Sequence, residues 1–145
     1  MKFDIVIIGA GPAGLLAAWC LEGTGISYTV IEKGNVYFKR DKELPYDVSY
    51  GFGGAGLFSD GKLSYSPAAS QMWGKLDSKR LHIAYDKTRK LFAKIGVELR
   101  EWSEDWVKNQ NSLKTTIKEY ESVYLNKEQR IRLLEVLYDQ LNSEI

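Results

Sequence analysis

Gly9-Ala10-Gly11-Pro12-Ala13-Gly14 follows the apolar run Phe3 to Ile8 and opens a helix of small residues, and Glu32 closes the next apolar run. This order specifies a βαβ unit shaped to hold a dinucleotide. Gly9 allows the tight turn out of the strand. Gly11 lets the main chain approach a pyrophosphate with no Cβ in between, and Gly14 lets helix and strand pack closely. The first helical turn has unpaired N–H groups and the positive end of the macrodipole, so a phosphate is stabilised there without a cationic side chain. The loop contains no Lys or Arg. Gly9, Gly11, Pro12, Ala13 and Gly14 are accordingly the candidate pyrophosphate contacts.

The flanking residues supply the context that a glycine-rich turn alone lacks. Asp4-Ile5-Val6-Ile7-Ile8 reads as a strand buried on both faces, as the centre of a parallel sheet requires. Leu15 to Leu21 continues as helix, with Ala17 and Ala18 small enough for tight packing, and it is expected to stop at Gly23-Thr24-Gly25. A second strand, Tyr28-Thr29-Val30-Ile31, ends on Glu32. The Glu32 carboxylate then lies at the carboxyl edge of the sheet, where an adenosine ribose offers two hydroxyls. It would repel a 2′-phosphate, so NADP is disfavoured while FAD and NAD both remain open.

A second glycine cluster follows, Gly51-Phe52-Gly53-Gly54-Ala55-Gly56-Leu57-Phe58-Ser59-Asp60-Gly61-Lys62-Leu63. Together with Glu32-Lys33-Gly34 and Arg40 it resembles a signature of FAD-dependent dehydrogenases in the flavoprotein superfamily built on two dinucleotide-binding domains. The likeness is strong over residues 1 to 63 and loose beyond. It implies an α/β fold, with a Rossmann-like βαβ FAD-binding unit, a helical insertion and an incomplete parallel sheet, and it implies FAD as cofactor. In similar flavoproteins the second cluster passes along the pyrophosphate and ribityl chain toward the isoalloxazine ring. By that likeness Phe52, Gly53, Gly54, Ala55 and Gly56 line the cofactor, and Ser59 and Lys62 reach the flavin, where a cation near N1 favours the anionic reduced ring. Lys33 belongs to the same cofactor-binding set, and Arg40 is placed near the adenosine phosphate or ribose.

Each of these residues also has an ordinary reading. Lys62 is set against a plain surface lysine, and the glycine cluster against a mobile loop. Lys39-Arg40-Asp41-Lys42-Glu43 has mixed sign and equally suits a solvated loop. Four glycines within six positions are costly to order without a partner.

Composition narrows the function classes. The chain has 145 residues, with 20 basic and 19 acidic side chains and a formal net charge of +1. No broad field for nucleic acid or an acidic membrane is expected. The apolar start breaks at the glycine loop and has no cleavage pattern of a signal peptide. A cytoplasmic protein is expected. Cys20 is the only cysteine and His82 the only histidine, which excludes an internal disulfide and leaves too few ligands for a His/Cys metal centre, and no catalytic triad is read around His82. Flavoprotein disulfide reductases place two cysteines after a glycine pair like Gly53-Gly54; here Ala55, Phe58 and Ser59 follow instead. Cys20 reads as a small buried apolar residue and His82 as structural.

The division expected is residues 1–64, a βαβ segment with its flavin loop, and 65–145, a mainly helical continuation of one incomplete domain. Tyr65-Ser66-Pro67 marks a break. Ser78 is the expected N-cap of a helix with Leu81, Ala84, Tyr85, Thr88, Leu91, Phe92 and Ile95 on one face and Gly96 just past its end. Val97 and Leu99 alternate with polar neighbours, and Trp102 and Trp106 share a helical spacing that suits packing or, beside a flavin, a substrate pocket. Glu119 to Leu125 reads as a short strand, Asn126 and Gln129 as a capping pair, and Ile131, Leu134, Leu137, Tyr138 and Leu141 as the stripe of a last helix. A homo-oligomer or second chain is expected to cover residues 131–141. The substrate and electron donor are not specified by any residue. The best reading is the FAD-binding part of a flavin-dependent oxidoreductase, with hydride passing at flavin N5. Its rivals are an NAD-binding module and a non-enzymatic fragment that assembles with another chain.

Overall fold

The computed structural model of the protein describes residues 2–65, 77–103 and 122–142. Ser66, Pro67, Trp106 and the first part of the Glu119–Leu125 segment lie outside them. The chain forms two compact units, one from Met1–Gly61 with Leu125–Ile145 and the other from Lys62–Tyr124. The last helix, in Leu125–Ile145, belongs to the first of these units.

In the first unit, β1 (Ile5–Ile8) and β2 (Tyr28–Ile31) are joined by α1 (Pro12–Leu21). The strands pair in parallel, Ile5 opposite Tyr28 through to Ile8 opposite Ile31. This is the Rossmann-like βαβ unit that the sequence specified, with both strands at the expected residues. Pro12 suits the first helical position, where its missing N–H costs nothing. Helix α1 buries Leu15 and Ala18, and it ends where Thr24 donates through its amide and its hydroxyl to the Leu21 carbonyl. Positive φ at Gly23 and Gly25 carries the turn into β2.

The expectation that β1 is buried on both faces is overturned. Val6 is 52% exposed, Ile8 86% and Ile31 56%. The pleat sends these three to one side, while the Ile7 side chain faces α1 near Gly14. Among the described residues β1 has a single neighbouring strand, so only the helix-facing side is covered. The continuous apolar pattern records a two-sided burial that these residues alone do not complete.

Beyond β2 come a 3₁₀ turn at Tyr37–Lys39, the short α2 (Pro45–Ser49) and a second 3₁₀ turn at Gly54–Phe58. The last helix, α4 (Lys127–Asn142), packs on α1 and on the second 3₁₀ turn. Its start is the reciprocal cap expected: the Gln129 amide donates to Asn126 Oδ1 at 2.8 Å and the Asn126 amide to Gln129 Oε1 at 3.0 Å. Leu134 and Leu137 are buried, and the Tyr138 ring meets Tyr37, Phe38 and Phe52 edge-on at 5.5–5.9 Å. Edge-to-face contacts of this kind contribute beyond area burial alone.

The second unit pairs β3 (Lys62–Ser64) antiparallel with β4 (Ser122–Tyr124) and contains α3 (Ser78–Ala93). Asp77, one residue before the expected Ser78, caps α3 by accepting from the Arg80 amide. Gly96 at φ +72° closes it, its amide donating to Ala93 and that of Val97 to Phe92, which is a Schellman ending. Tyr85, Leu91 and Phe92 are buried as the stripe predicts, while Ala84 is exposed. Val97 and Leu99 alternate as in a strand and are both buried, yet no ladder forms among the described residues. Their carbonyl neighbourhood is served by side chains instead, Arg89 donating to Leu99 and Tyr85 to Arg100. Trp102 is not helical; it stacks on His82 at 4.8 Å and 9°, and His82 also pairs with Asp86 at 3.4 Å. That places His82 in a packing role, as expected.

Candidate functional site

The turn after β1 leads directly into α1. Gly9 sits at φ +98°, and its amide donates to the Ile31 carbonyl at 2.7 Å, extending the ladder by one bond before the chain turns. Gly11 is the N-cap of α1, and no side chain caps the helix. A Cβ on Gly14 would collide with the Gly9 carbonyl oxygen and come 3.2 Å from the Ile7 side chain. A Cβ on Gly11 would meet nothing within 4 Å, and Gly11 has an ordinary extended conformation, φ −74° and ψ 179°. The two residues therefore differ in kind. Gly14 is glycine because protein fills the space, whereas at Gly11 no protein atom requires it.

Glu32 stands at the carboxyl edge of β2, as the sequence requires, and is half-buried. Its Oε2 accepts from the Ala10 amide at 2.7 Å, and its Oε1 accepts from Gly34 at 2.9 Å and Gly51 at 3.2 Å. Burial raises its pKa, but the backbone amides of Ala10, Gly34, Gly51 and Lys33 outweigh that effect and hold the carboxyl below its usual value. The carboxylate thus ties the first glycine loop to the second. A carboxylate has about four acceptor positions, and most of them are directed at main chain here.

The second glycine cluster rests directly on the first. The Gly53 amide donates to the Ala10 carbonyl at 2.8 Å, and a Cβ on Gly54 would come 3.2 Å from Pro12 and 3.3 Å from Gly11. Several of its glycines are explained by close packing within the unit. A Cβ on Gly53 (φ +92°) would press into Leu134 at 2.6 Å, and one on Gly51 (φ +105°) would meet the Asn35 carbonyl at 2.5 Å and Arg40 at 2.9 Å. Gly56, by contrast, faces open space. Leu134, Asn35 and Arg40 pack directly against the cluster.

Arg40 is not in a solvated loop. It is 8% exposed, and its five N–H donors all go to main-chain carbonyls: Nε to Asp47, one terminal nitrogen to Phe52 and Gly54, the other to Asp47 and Val48, at 2.6–3.2 Å. Burial pulls its pKa down, opposed by Asp47 and Glu32. The guanidinium lies 5.2 Å from the Phe58 ring. Asp47, 2% exposed, accepts from Asn35 and from the Asp41 amide. Ala10, Asn35 and Asp47 were not singled out in the sequence. Ala10 lies inside the quoted motif, but Asn35 and Asp47 carry no pattern that would have marked them.

The remaining candidates divide. Ala13 and Ala55 are exposed near the two loops' surfaces. Phe52 is buried in the aromatic cluster with Tyr37 and Tyr138. Its ring is committed to packing. Ser59 donates to the Gly56 carbonyl and accepts from the Gly61 amide, closing its own turn. Lys33 lies over the Tyr50 ring at 3.4 Å. Lys62 is the exposed first residue of β3 and belongs to the second unit, not to the one with the glycine loops. Cys20 is half-buried and forms no disulfide. Among the described residues no group of three or more His, Cys, Asp and Glu side chains could hold a metal, and no helix is long and apolar enough to cross a membrane.

Residues 7–76 match the model of the NAD(P)-binding Rossmann-like domain family. The match begins in β1 and includes both glycine clusters. Among curated proteins the chain is similar to an uncharacterized protein of Clostridium beijerinckii, 40% identical over 44% of this chain and 14% of the relative. It is also similar to digeranylgeranylglycerophospholipid reductase 2 of Methanopyrus kandleri, 35% identical over 39% of this chain and 13% of that protein. A third relative is thiamine thiazole synthase of Aeropyrum pernix, 43% identical over 24% of this chain and 13% of that enzyme. The matched stretches thus span about one-seventh of the length of these relatives. No solved structure matches.

Proposed function

We propose that this chain is the FAD-binding portion of a flavin-dependent oxidoreductase. The observation that carries the reading is the unfilled space at Gly11, at the uncapped start of α1, beside a Gly14 that cannot be anything larger. A pyrophosphate fits there: exposed amides and the helix macrodipole favour an anion, and no side chain competes for the position. Gly9, Gly11, Pro12, Ala13 and Gly14 would hold the pyrophosphate, and Glu32 at the strand edge would face the adenosine ribose. Gly54, Ala55 and Gly56 would border the path of the cofactor toward its flavin end. When bound, the flavin supplies hydride acceptance or donation at N5, and the protein supplies orientation and electrostatics. The likeness of the second cluster to FAD-dependent dehydrogenases supports FAD, and the reductase among the relatives supports redox chemistry. The +1 net charge and the single cysteine suit a cytoplasmic setting.

One observation favours a second reading, an NAD-binding module: the matching family is described as NAD(P)-binding. Equilibrium dialysis of the purified chain against FAD and against NAD, with a visible absorption spectrum of the protein as isolated, separates the two. FAD retention with a flavin spectrum supports the proposal. A colourless protein that binds NAD and takes up no flavin defeats it in favour of the module, and binding of neither defeats both.

A further inference from the structure

We infer that Arg40 is a positioning residue for the dinucleotide cradle, acting on the cofactor through the main chain of the second glycine loop and not by touching the phosphates. The inference rests on the dinucleotide reading of the Gly9–Gly14 turn. Its own support is the set of partners. A guanidinium has five donors in a rigid fork, and here every one ends on a main-chain carbonyl, two of them on Phe52 and Gly54 at 2.9 and 2.8 Å. The others grip Asp47 and Val48 in α2. Arg40 therefore bridges α2 to the loop that rests on Gly11 and Pro12. Without it the Phe52 and Gly54 carbonyls would lose a charged donor in a buried setting, which favours a loop that swings out to find water. Gly54 would then leave Gly11 and the wall of the cradle would go with it. Because no N–H is left over, a direct bond from Arg40 to a phosphate would require breaking one of these five.

The test compares Arg40→Gln, Arg40→Lys and wild type as full chains, with FAD and NAD as probes. Amide hydrogen exchange in the ligand-free protein is expected to speed up at least tenfold across residues 51–57 in R40Q, with α1 and β1 unchanged. Affinity for whichever dinucleotide the wild type binds is expected to fall at least tenfold, with its dependence on salt unchanged. R40K, whose single ammonium cannot span the separate carbonyls, should recover only part of either effect. Unchanged loop exchange together with weaker, less salt-sensitive binding would overturn the inference in favour of direct phosphate contact. Loss of structure throughout in both variants would also overturn it, since Arg40 would then hold the whole unit. A wild type that binds neither FAD nor NAD defeats the dinucleotide reading, and loop exchange still decides whether Arg40 holds the loop.

Discussion

The two glycine clusters look alike in sequence and differ in what surrounds them. In the first, Gly14 is pressed against the Gly9 carbonyl while Gly11 faces open space. In the second, Gly51 and Gly53 face Asn35, Arg40 and Leu134, so their lack of a side chain serves packing within the unit. A glycine with protein against it answers to the fold; Gly11, with nothing against it at the start of an uncapped helix, leaves the room that the proposed pyrophosphate would take. The second cluster thereby forms the wall against which the first is held, tied by Glu32 from one side and Arg40 from the other.

The largest effect is expected at Gly14. Gly14→Val forces β1 and α1 apart, and urea denaturation should show a loss of more than about 4 kcal/mol or a chain that does not fold, since overpacking against main chain cannot relax. Stability within about 1 kcal/mol of wild type would break the distinction between the two kinds of glycine. Next is Gly53→Ala, where positive φ and the Leu134 contact combine to cost about 2–4 kcal/mol. Trimming the neighbour in the double variant with Leu134→Ala should recover part of that loss, and strict additivity would show that the two residues do not meet in solution.

Glu32 gives a pH dependence whose sign follows from its amide donors. Its carboxyl is held below its usual value in the folded chain, so its contribution is fully present above the unfolded value, about 4.3, and is lost as pH falls through the lower folded value. Thermal melts from pH 6 downward should therefore show a decline below about pH 4.3 that is weaker in Glu32→Gln. Equal slopes in the two proteins would show that the carboxylate is not the tie between the loops. The smallest effect on stability is expected at Gly11, where substitution meets open space and costs about 1 kcal/mol or less, mostly from the changed helix cap.

Much of this was legible in the chain. Gly9 to Gly14 and Tyr28 to Glu32 specified the βαβ unit because each residue there answers to its immediate neighbours and to a fixed period. The Asn126–Gln129 cap was legible for the same reason. The exposure of Val6 and Ile8 on β1 was not legible because an apolar run records that a strand suits burial and not which of its faces is covered. The burial of Arg40 was not legible because its partners are carbonyls, which every residue has, spread over Asp47 to Gly54; no side-chain pattern announces them. Trp102 went to His82 because ring stacking across an irregular segment leaves no helical spacing to read.

The central claim is that the space beside Gly11 belongs to a dinucleotide pyrophosphate. Titration of wild type and Gly11→Val with FAD, followed by flavin fluorescence and accompanied by circular dichroism, tests it most directly. The account predicts saturable binding to wild type and at least a hundredfold weaker binding to the variant, with the two circular dichroism spectra superimposable. Equal affinity for FAD in both proteins would contradict it.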